Sequence, residues 1–116
     1  MSFHRGTLVY AADPFKDTDT GRPWVIISTS GMPFQGEQYI ALTLSTKTWY
    51  KERIPIDTDD VIEGGLPEDS SILPWAVLSL GPEEIDRELG ALHEDIVDDA
   101  ATTLSSYLGI LPEKTK

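Results

Sequence analysis

Residues 21–29 read GRPWVIIST and combine a turn with a strand. Gly21, Arg22 and Pro23 are typical of a turn, and the apolar run after them has the length of a strand. Because nearly every position of this run is apolar, rather than every second one, we expect a central strand covered on both faces. We predict that strand over residues 24–29.

Two further strands are predicted on either side of this segment. Residues 6–12, GTLVYAA, are apolar and rich in β-formers, and they end at the breaker pair Asp13-Pro14. Residues 38–47, QYIALTLSTK, alternate in polarity as a strand does. The polar stretch DPFKDTDTG over residues 13–21 is expected to be a loop.

Two later segments are also predicted as strands. Residues 49–56, WYKERIPI, contain Pro55, which indicates an edge strand or a strand end. Residues 71–80, SILPWAVLSL, contain Pro74, which indicates a bulge or a sheet edge. The acidic connection between them, residues 57–70, includes a glycine pair that predicts a tight turn.

The last part of the chain has helical periodicity. Residues 82–89 begin with Pro and two glutamates, which predicts a short helix. Residues 93–108 repeat apolar side chains at three- and four-residue steps and precede Gly109, which predicts an amphipathic helix. We therefore expect residues 1–116 to form a single, mainly β domain: a partly open antiparallel barrel with a C-terminal helix packed on it.

Composition excludes several classes of protein. The 116 residues include 20 acidic and 9 basic side chains, a net charge of −11, which disfavours a conventional DNA-binding module. The 40% of hydrophobic residues is too high for a disordered acidic tail. There is no cysteine, and the two histidines, His4 and His93, have no zinc-site spacing, so we expect no metal and no cofactor. The sequence contains no apolar run that would span a bilayer, so we predict a cytoplasmic protein with no membrane partner.

The order of the segments resembles the PemK/MazF toxin family. The resemblance rests on Arg5-Gly6, Asp13-Pro14, the GRPWVIIS stretch, Ser45-Thr46, LPEDSSILPWAVLSL and the closing Tyr107-Leu108-Gly109-Ile110. It implies an SH3-like barrel of the PemK/MazF/CcdB kind that forms a homodimer and is neutralised by a cognate antitoxin peptide. It also implies a metal-independent, sequence-specific endoribonuclease that cleaves single-stranded RNA by attack of the RNA's own 2′-hydroxyl.

The resemblance also assigns candidate catalytic residues. The family's arginine corresponds to Arg22, whose planar fork of donors suits the charge of a phosphorane. The alternative is an exposed cation that pairs with Asp13 or Asp19. The family's catalytic threonine corresponds to Ser45, with Thr46 beside it, and either hydroxyl can donate to a phosphate oxygen. The alternative is that these hydroxyls merely end a strand.

Four further residues are candidates for RNA binding. Lys47, Lys51 and Arg53 follow the candidate site and predict a local phosphate track, although charges on an edge strand also prevent aggregation. Trp75 can stack an unpaired base or be part of a core or dimer interface. We expect Trp24 to belong to the core.

The sequence departs from the family in the segment around Trp75. Some active members carry an acidic residue there, or an Asp-Gln pair with a nearby Arg or Lys; this segment reads Trp75-Ala76 and Leu78 here, so a general acid or base is missing. A catalytically impaired nucleic-acid- or protein-binding module is therefore the second hypothesis. The acidity suggests a protein from a halophile, because molar salt screens repulsion between an acidic protein and RNA.

Overall fold

The chain forms one curled antiparallel sheet of seven strands followed by one helix, in a computed structural model that describes residues 3–14 and 20–110. Along the sheet the strands are ordered β4-β6-β3-β2-β1-β7-β5, so that β4 and β5 are its two open edges. Their bounds are β1 (Thr7–Ala12), β2 (Gly21–Ile26), β3 (Tyr39–Ser45), β4 (Ile54–Pro55), β5 (Val61–Gly64), β6 (Ser71–Leu80) and β7 (Ile85–Leu92), and α1 spans Glu94–Tyr107. The predicted mainly β, partly open barrel with a C-terminal helix is confirmed.

The central strands are buried on both faces, as their apolar composition predicts. Leu8, Val25 and Leu42 lie opposite one another on three adjacent strands and belong to the core that α1 covers. Val9 and Trp24 lie opposite each other on the other face, in a second buried cluster. Trp24 is thus a core residue, as expected.

The strand predicted over residues 24–29 begins earlier and ends earlier, at Gly21–Ile26. Pro23 lies opposite Tyr10 of β1 and just outside the pairing of β2 with β3, which runs from Trp24 to Ile26. A proline cannot donate to a neighbouring strand, so its place at the start of the ladder costs little. The shift brings Arg22 into the sheet.

The strand predicted over residues 49–56 is mostly wrong. Only the short strand β4, Ile54–Pro55, forms there, at the edge where Pro55 was expected. Tyr50 instead begins a turn that is closed by the N–H of Arg53. The aromatic rings of this segment pack on one another rather than against a neighbouring strand.

Strand β6 has the predicted bounds, and its pairing with β3 is irregular between Leu42 and Leu44, opposite the stretch that contains Pro74. The predicted bulge is confirmed.

The helix predicted over residues 82–89 is wrong. Pro82–Glu84 form a single 3-10 turn, in which the carboxylate of Glu84 accepts a hydrogen bond from the Gly81 N–H at 2.7 Å. The chain then enters β7, which pairs with β1 on one side and β5 on the other. The helix-start signal is local, and pairing with a distant strand overrides it.

The tight turn predicted within residues 57–70 is replaced by a 3-10 turn, Thr58–Asp60, and the unpredicted strand β5. Gly64 of β5 and Gly90 of β7 face each other so closely that a Cβ at Gly90 would clash with the carbonyl oxygen of Glu63. The absence of side chains at Gly64 and Gly90 therefore allows the edge strand β5 to pair with β7.

The C-terminal helix agrees with its prediction. His93 is the N-cap and accepts a hydrogen bond from the Asp95 N–H at its Nδ1, and Gly109 follows the helix in a left-handed conformation. Ile96, Val97 and Ala100 are buried against the sheet. In the described part of the chain, no helix combines the length and the apolar composition needed to cross a membrane.

Candidate functional site

The open end of the hairpin formed by β2 and β3 brings the candidate catalytic residues together. Trp24 lies opposite Thr43 in the last pair of the β2–β3 ladder, and Arg22 and Ser45 each lie two residues farther along their strands, on the same faces as Trp24 and Thr43. Residues directly opposite each other in an antiparallel pair present their side chains on the same face. Ser45 in turn lies opposite Ser71 of β6.

Two contacts hold the Arg22 guanidinium. Its Nη2 donates to the carbonyl oxygen of Leu44 at 2.7 Å, and its Nη1 lies 3.4 Å from a carboxylate oxygen of Asp13. The Asp13 side chain is 2% exposed and that of Arg22 is 27% exposed. The pairing with Asp13 that the sequence suggested as an alternative therefore exists, and it orients the arginine without removing it from solvent.

Arg22 and the two hydroxyl residues line one surface pocket of about 510 Å³. This volume is in the range of small-molecule sites and exceeds that of a phosphate group. The lining residues are Tyr10, Asp13, Gly21, Arg22, Pro23, Leu44, Ser45, Thr46, Lys47, Pro67, Glu68 and Ser70. Among these described residues two cations are balanced by two carboxylates, so the pocket is far less acidic than the chain as a whole.

The two hydroxyls differ in their surroundings. Ser45 is buried, and its Oγ accepts a hydrogen bond from the Lys47 N–H at 3.1 Å, which leaves its own hydrogen to donate. Thr46 is exposed. Ser45 is therefore the better fixed of the two donors.

The predicted basic residues do not all lie in this pocket. Lys47 lines it. Arg53 lines an adjoining pocket of about 300 Å³, and the two pockets share Thr46 and Ser70. Lys51 is exposed and lines neither. The structure thus groups Lys47 and Arg53 on the two sides of Thr46.

Trp75 lies outside the pocket. It is 39% exposed and lines an apolar groove between β6 and the end of α1, with Val77, Leu104, Tyr107 and Leu108. Its ring packs edge-on against Tyr50, with 5.3 Å between the ring centroids.

The carboxylates of the pocket come from positions that the sequence did not assign to the site. Asp13 follows β1, and its Asp-Pro pair indicated only a turn. Glu68 lies in the connection between β5 and β6, whose path over the pocket has no local signal in the sequence. Asp19, the other carboxylate that the sequence suggested, lies outside the described residues.

No group of three or more His, Asp or Glu side chains with a geometry suited to a metal ion occurs in residues 3–14 and 20–110.

Comparison with family models and with curated proteins finds no match to the sequence. Solved structures do match over nearly the whole chain. A MazF from Deinococcus radiodurans superposes with a TM-score of 0.74 at 16% identity, over 95% of this chain and 99% of that one. An endoribonuclease from a Mycobacterial species gives a TM-score of 0.72 at 22% identity, over 98% and 97% of the two chains. A Mycobacterial endoribonuclease in complex with its cognate antitoxin gives 0.71 at 20% identity, over 97% and 98%.

These matches define the class of fold: a curled antiparallel half-barrel with one C-terminal helix. More particularly, the chain has the MazF fold, which confirms the fold that the resemblance implied.

Proposed function

We propose that this protein is a metal-independent endoribonuclease toxin that cleaves single-stranded RNA. The observation that carries the proposal is the convergence of Arg22, Ser45 and Thr46 on one pocket, large enough for a nucleotide phosphate, in a chain with the MazF fold. Had the side chains of Arg22 and Ser45 pointed to opposite faces of the barrel, the proposal would have had no basis.

In the proposed reaction, the 2′-oxygen of the RNA attacks the adjacent phosphorus. The P–O5′ bond breaks, a carboxylate or solvent accepts the 2′-hydroxyl proton, and the leaving 5′-oxygen takes up a proton from solvent, so that the products carry a 2′,3′-cyclic phosphate and a 5′-hydroxyl. Negative charge grows on the non-bridging oxygens as the phosphorane forms. The Arg22 guanidinium and the Ser45 or Thr46 hydroxyl donate to those oxygens and lower the barrier.

Glu68 supports this proposal by its position. Strand β6 carries Trp75, Ala76 and Leu78 at the positions where some active members of the resembled family carry an acidic residue and a basic residue. Glu68 is an exposed acidic residue that lines the same pocket as Arg22 from a different part of the chain. A carboxylate within reach of the 2′-hydroxyl can accept its proton.

The second candidate function is a nucleic-acid- or protein-binding module without cleavage. It is favoured by the loss of the carboxylate and the basic residue from β6, which now presents Trp75, Ala76 and Leu78. This module would bind single-stranded RNA at the same pocket but release it intact.

Cleavage of a long single-stranded RNA in the presence of a chelator, at low and at molar KCl, tests the proposal. Arg22→Lys keeps the charge but not the fork of donors, and we expect cleavage to fall by roughly 10²–10³-fold. Arg5→Lys is a matched control, because Arg5 also binds a backbone carbonyl, that of Ile27, and a carboxylate, that of Asp98, with the same 27% exposure.

The control should cleave as the wild-type protein does, since Arg5 contacts the opposite end of β2. Wild-type protein that binds RNA but yields no fragments at any salt concentration would favour the binding module. Fragments that persist equally in Arg22→Lys would refute the proposed role of Arg22.

We further propose that the protein forms a homodimer and binds a cognate antitoxin peptide. The support for the dimer is the apolar groove lined by Trp75, Val77, Tyr107 and Leu108, whose side chains are exposed in the single chain. The support for the antitoxin is that structural neighbours include an endoribonuclease with its cognate antitoxin and a MazE-MazF complex.

Sedimentation equilibrium tests the dimer. Val77→Lys should convert a dimer to a monomer, because it places a charge in the buried centre of the interface. Ile62→Lys is the control, since Ile62 is also an exposed apolar residue, at 63% against 41% for Val77, and lies on the edge strand β5. A wild-type protein that is monomeric at high concentration would refute the dimer.

A further inference from the structure

Trp49 is a large apolar side chain whose exposure the fold does not explain. It is 67% exposed and lies in the segment of residues 46–53 that joins β3 to β4. Single exposed apolar residues are common on protein surfaces, so the assignment of Trp49 rests on its neighbours: a hydrogen-bonded segment and a lysine that lines the Arg22 pocket.

The segment that carries Trp49 is braced at both ends. At its start the Lys47 N–H donates to Ser45 Oγ at 3.1 Å. At its end the Arg53 side chain donates from Nη1 to the carbonyl oxygen of Tyr50 at 2.9 Å, and the Tyr50 ring packs on Trp75. Trp49 therefore lies directly before a hydrogen-bonded turn and between two fixed points of the segment, which reduces the entropy lost when a ligand stacks on it.

Lys47 connects the Trp49 ring to the pocket. Its Nζ lies 4.8 Å from the centroid of the Trp49 ring, a cation–π contact, and the same residue lines the pocket that contains Arg22. A cation between an aromatic face and the pocket that contains Arg22 matches the alternation of base and phosphate along a nucleic-acid strand.

We propose that Trp49 stacks the unpaired base of a nucleotide next to the phosphate bound at Arg22, with Lys47 contacting that nucleotide's backbone. The inference rests on the proposed function and deepens it by naming the residue that selects single-stranded RNA. A duplex holds its bases stacked on one another, so its bases cannot reach the ring. The Trp49 ring contacts Lys47, which lines the Arg22 pocket, and a cation at the ring favours a nucleotide over an apolar protein partner.

Binding to an RNA analogue that cannot be cleaved tests the inference. The probe is a pool of random-sequence single-stranded oligonucleotides with every 2′-hydroxyl replaced by fluorine, which removes the attacking group. We expect Trp49→Leu to raise the Kd by ~10- to ~100-fold, because stacking of one base is lost. Trp49→Phe should restore most of the affinity, since it retains an aromatic face.

Phe34→Leu is the matched control. Phe34 is 56% exposed and lies in the connection at the closed end of the β2–β3 hairpin, away from the pocket at the open end. Its Kd should equal that of the wild-type protein, and duplex probes should bind weakly to all variants. Quenching of tryptophan fluorescence by the single-stranded probe should be lost in Trp49→Phe.

Equal Kd values for Trp49→Leu and wild type would overturn the inference. If the wild-type protein cleaves RNA in that case, the inference about Trp49 is wrong and the proposed function still holds. If the wild-type protein neither binds the probe nor cleaves RNA, both are wrong. A change of sedimentation mass in Trp49→Leu with unchanged RNA binding would assign Trp49 to a protein interface and also overturn the inference.

Discussion

Arg22 donates from Nη2 to the carbonyl oxygen of Leu44 at 2.7 Å, and Leu44 directly precedes Ser45. The arginine is the second residue of β2 and the carbonyl belongs to β3, so the bond joins the two strands at the open end of their hairpin. The strand that carries the candidate hydroxyl thus also sets the position of the candidate cation. Both groups move as one unit if the sheet flexes.

Removing the charge of Asp13 should loosen this unit. We expect Asp13→Asn to lower the free energy of unfolding by about 1–2 kcal/mol, because the buried contact with Arg22 is weakened. RNA cleavage should fall by roughly 10- to 100-fold, since the guanidinium is then less well oriented. Thermal unfolding and initial cleavage rates check the two effects.

Unchanged cleavage in Asp13→Asn would show that the Leu44 carbonyl is sufficient to orient Arg22. A comparable loss of stability in Arg5→Lys without loss of cleavage would separate the orientation of Arg22 from general destabilisation.

The two adjacent hydroxyls should contribute unequally. Ser45→Ala removes a buried, well-fixed donor and should lower kcat by about 10²-fold. Thr46→Val removes an exposed hydroxyl at nearly constant volume and should have a smaller effect. Single-turnover cleavage rates of both variants make the comparison.

Ser45→Thr is the control, because it retains the hydroxyl and should retain most of the activity. A larger loss in Thr46→Val than in Ser45→Ala would reverse the assignment and make Thr46 the donor.

The sequence predicts the elements whose signal is local. The apolar run around Trp24, the alternation before Ser45 and the period of the last helix each identify an element of the correct type. The 3-10 turn at Pro82 and the strand after it show the limit, because pairing of β7 with β1 joins segments far apart in the chain.

The residues of the candidate site also divide into those with a local signal in the sequence and those without one. Arg22, Ser45 and Thr46 are found through a resemblance of short segments, and their pocket follows from adjacent strands. Glu68 and Trp49 have no such signal. Glu68 reaches the pocket through the connection between β5 and β6. Trp49 lies in the part of the predicted strand over residues 49–56 where no strand forms.

Stability should rise with KCl concentration. The net charge of −11 includes like charges one helical turn apart, such as Asp95 and Asp99 of α1, which repel each other at low salt. The screening length falls from about 10 Å at 0.1 M to about 3 Å at 1 M, so this repulsion is largely removed. Urea unfolding at several KCl concentrations measures the effect.

Asp99→Lys should have a flatter salt dependence than the wild-type protein, because it removes one repulsive pair. A free energy of unfolding that stays constant or falls between 0.1 and 2 M KCl would contradict adaptation to high salt.

The close approach of β5 and β7 makes Gly90 sensitive to substitution. We expect Gly90→Ala to lower the free energy of unfolding by roughly 1–3 kcal/mol, because its Cβ would clash with the Glu63 carbonyl. Gly65→Ala is the control, since no described heavy atom outside its chain neighbours lies within 4 Å of a Cβ at that position. Equal urea midpoints for the two variants would show that β5 can move aside.

In the braced segment of residues 46–53, the proposed RNA contact, Trp49, is separate from the hydrogen bonds that hold the segment in place. Its start is fixed by Ser45 Oγ and its end by the contacts of Tyr50, while Trp49 between them is exposed. If Trp49 stacks an RNA base as proposed, substitutions at Trp49 change the affinity for single-stranded RNA while the hydrogen bond from Arg22 to β3 stays in place. We expect this segment to be the natural position for exchange between homologues, and the first position to randomise when a nuclease of new target preference is selected.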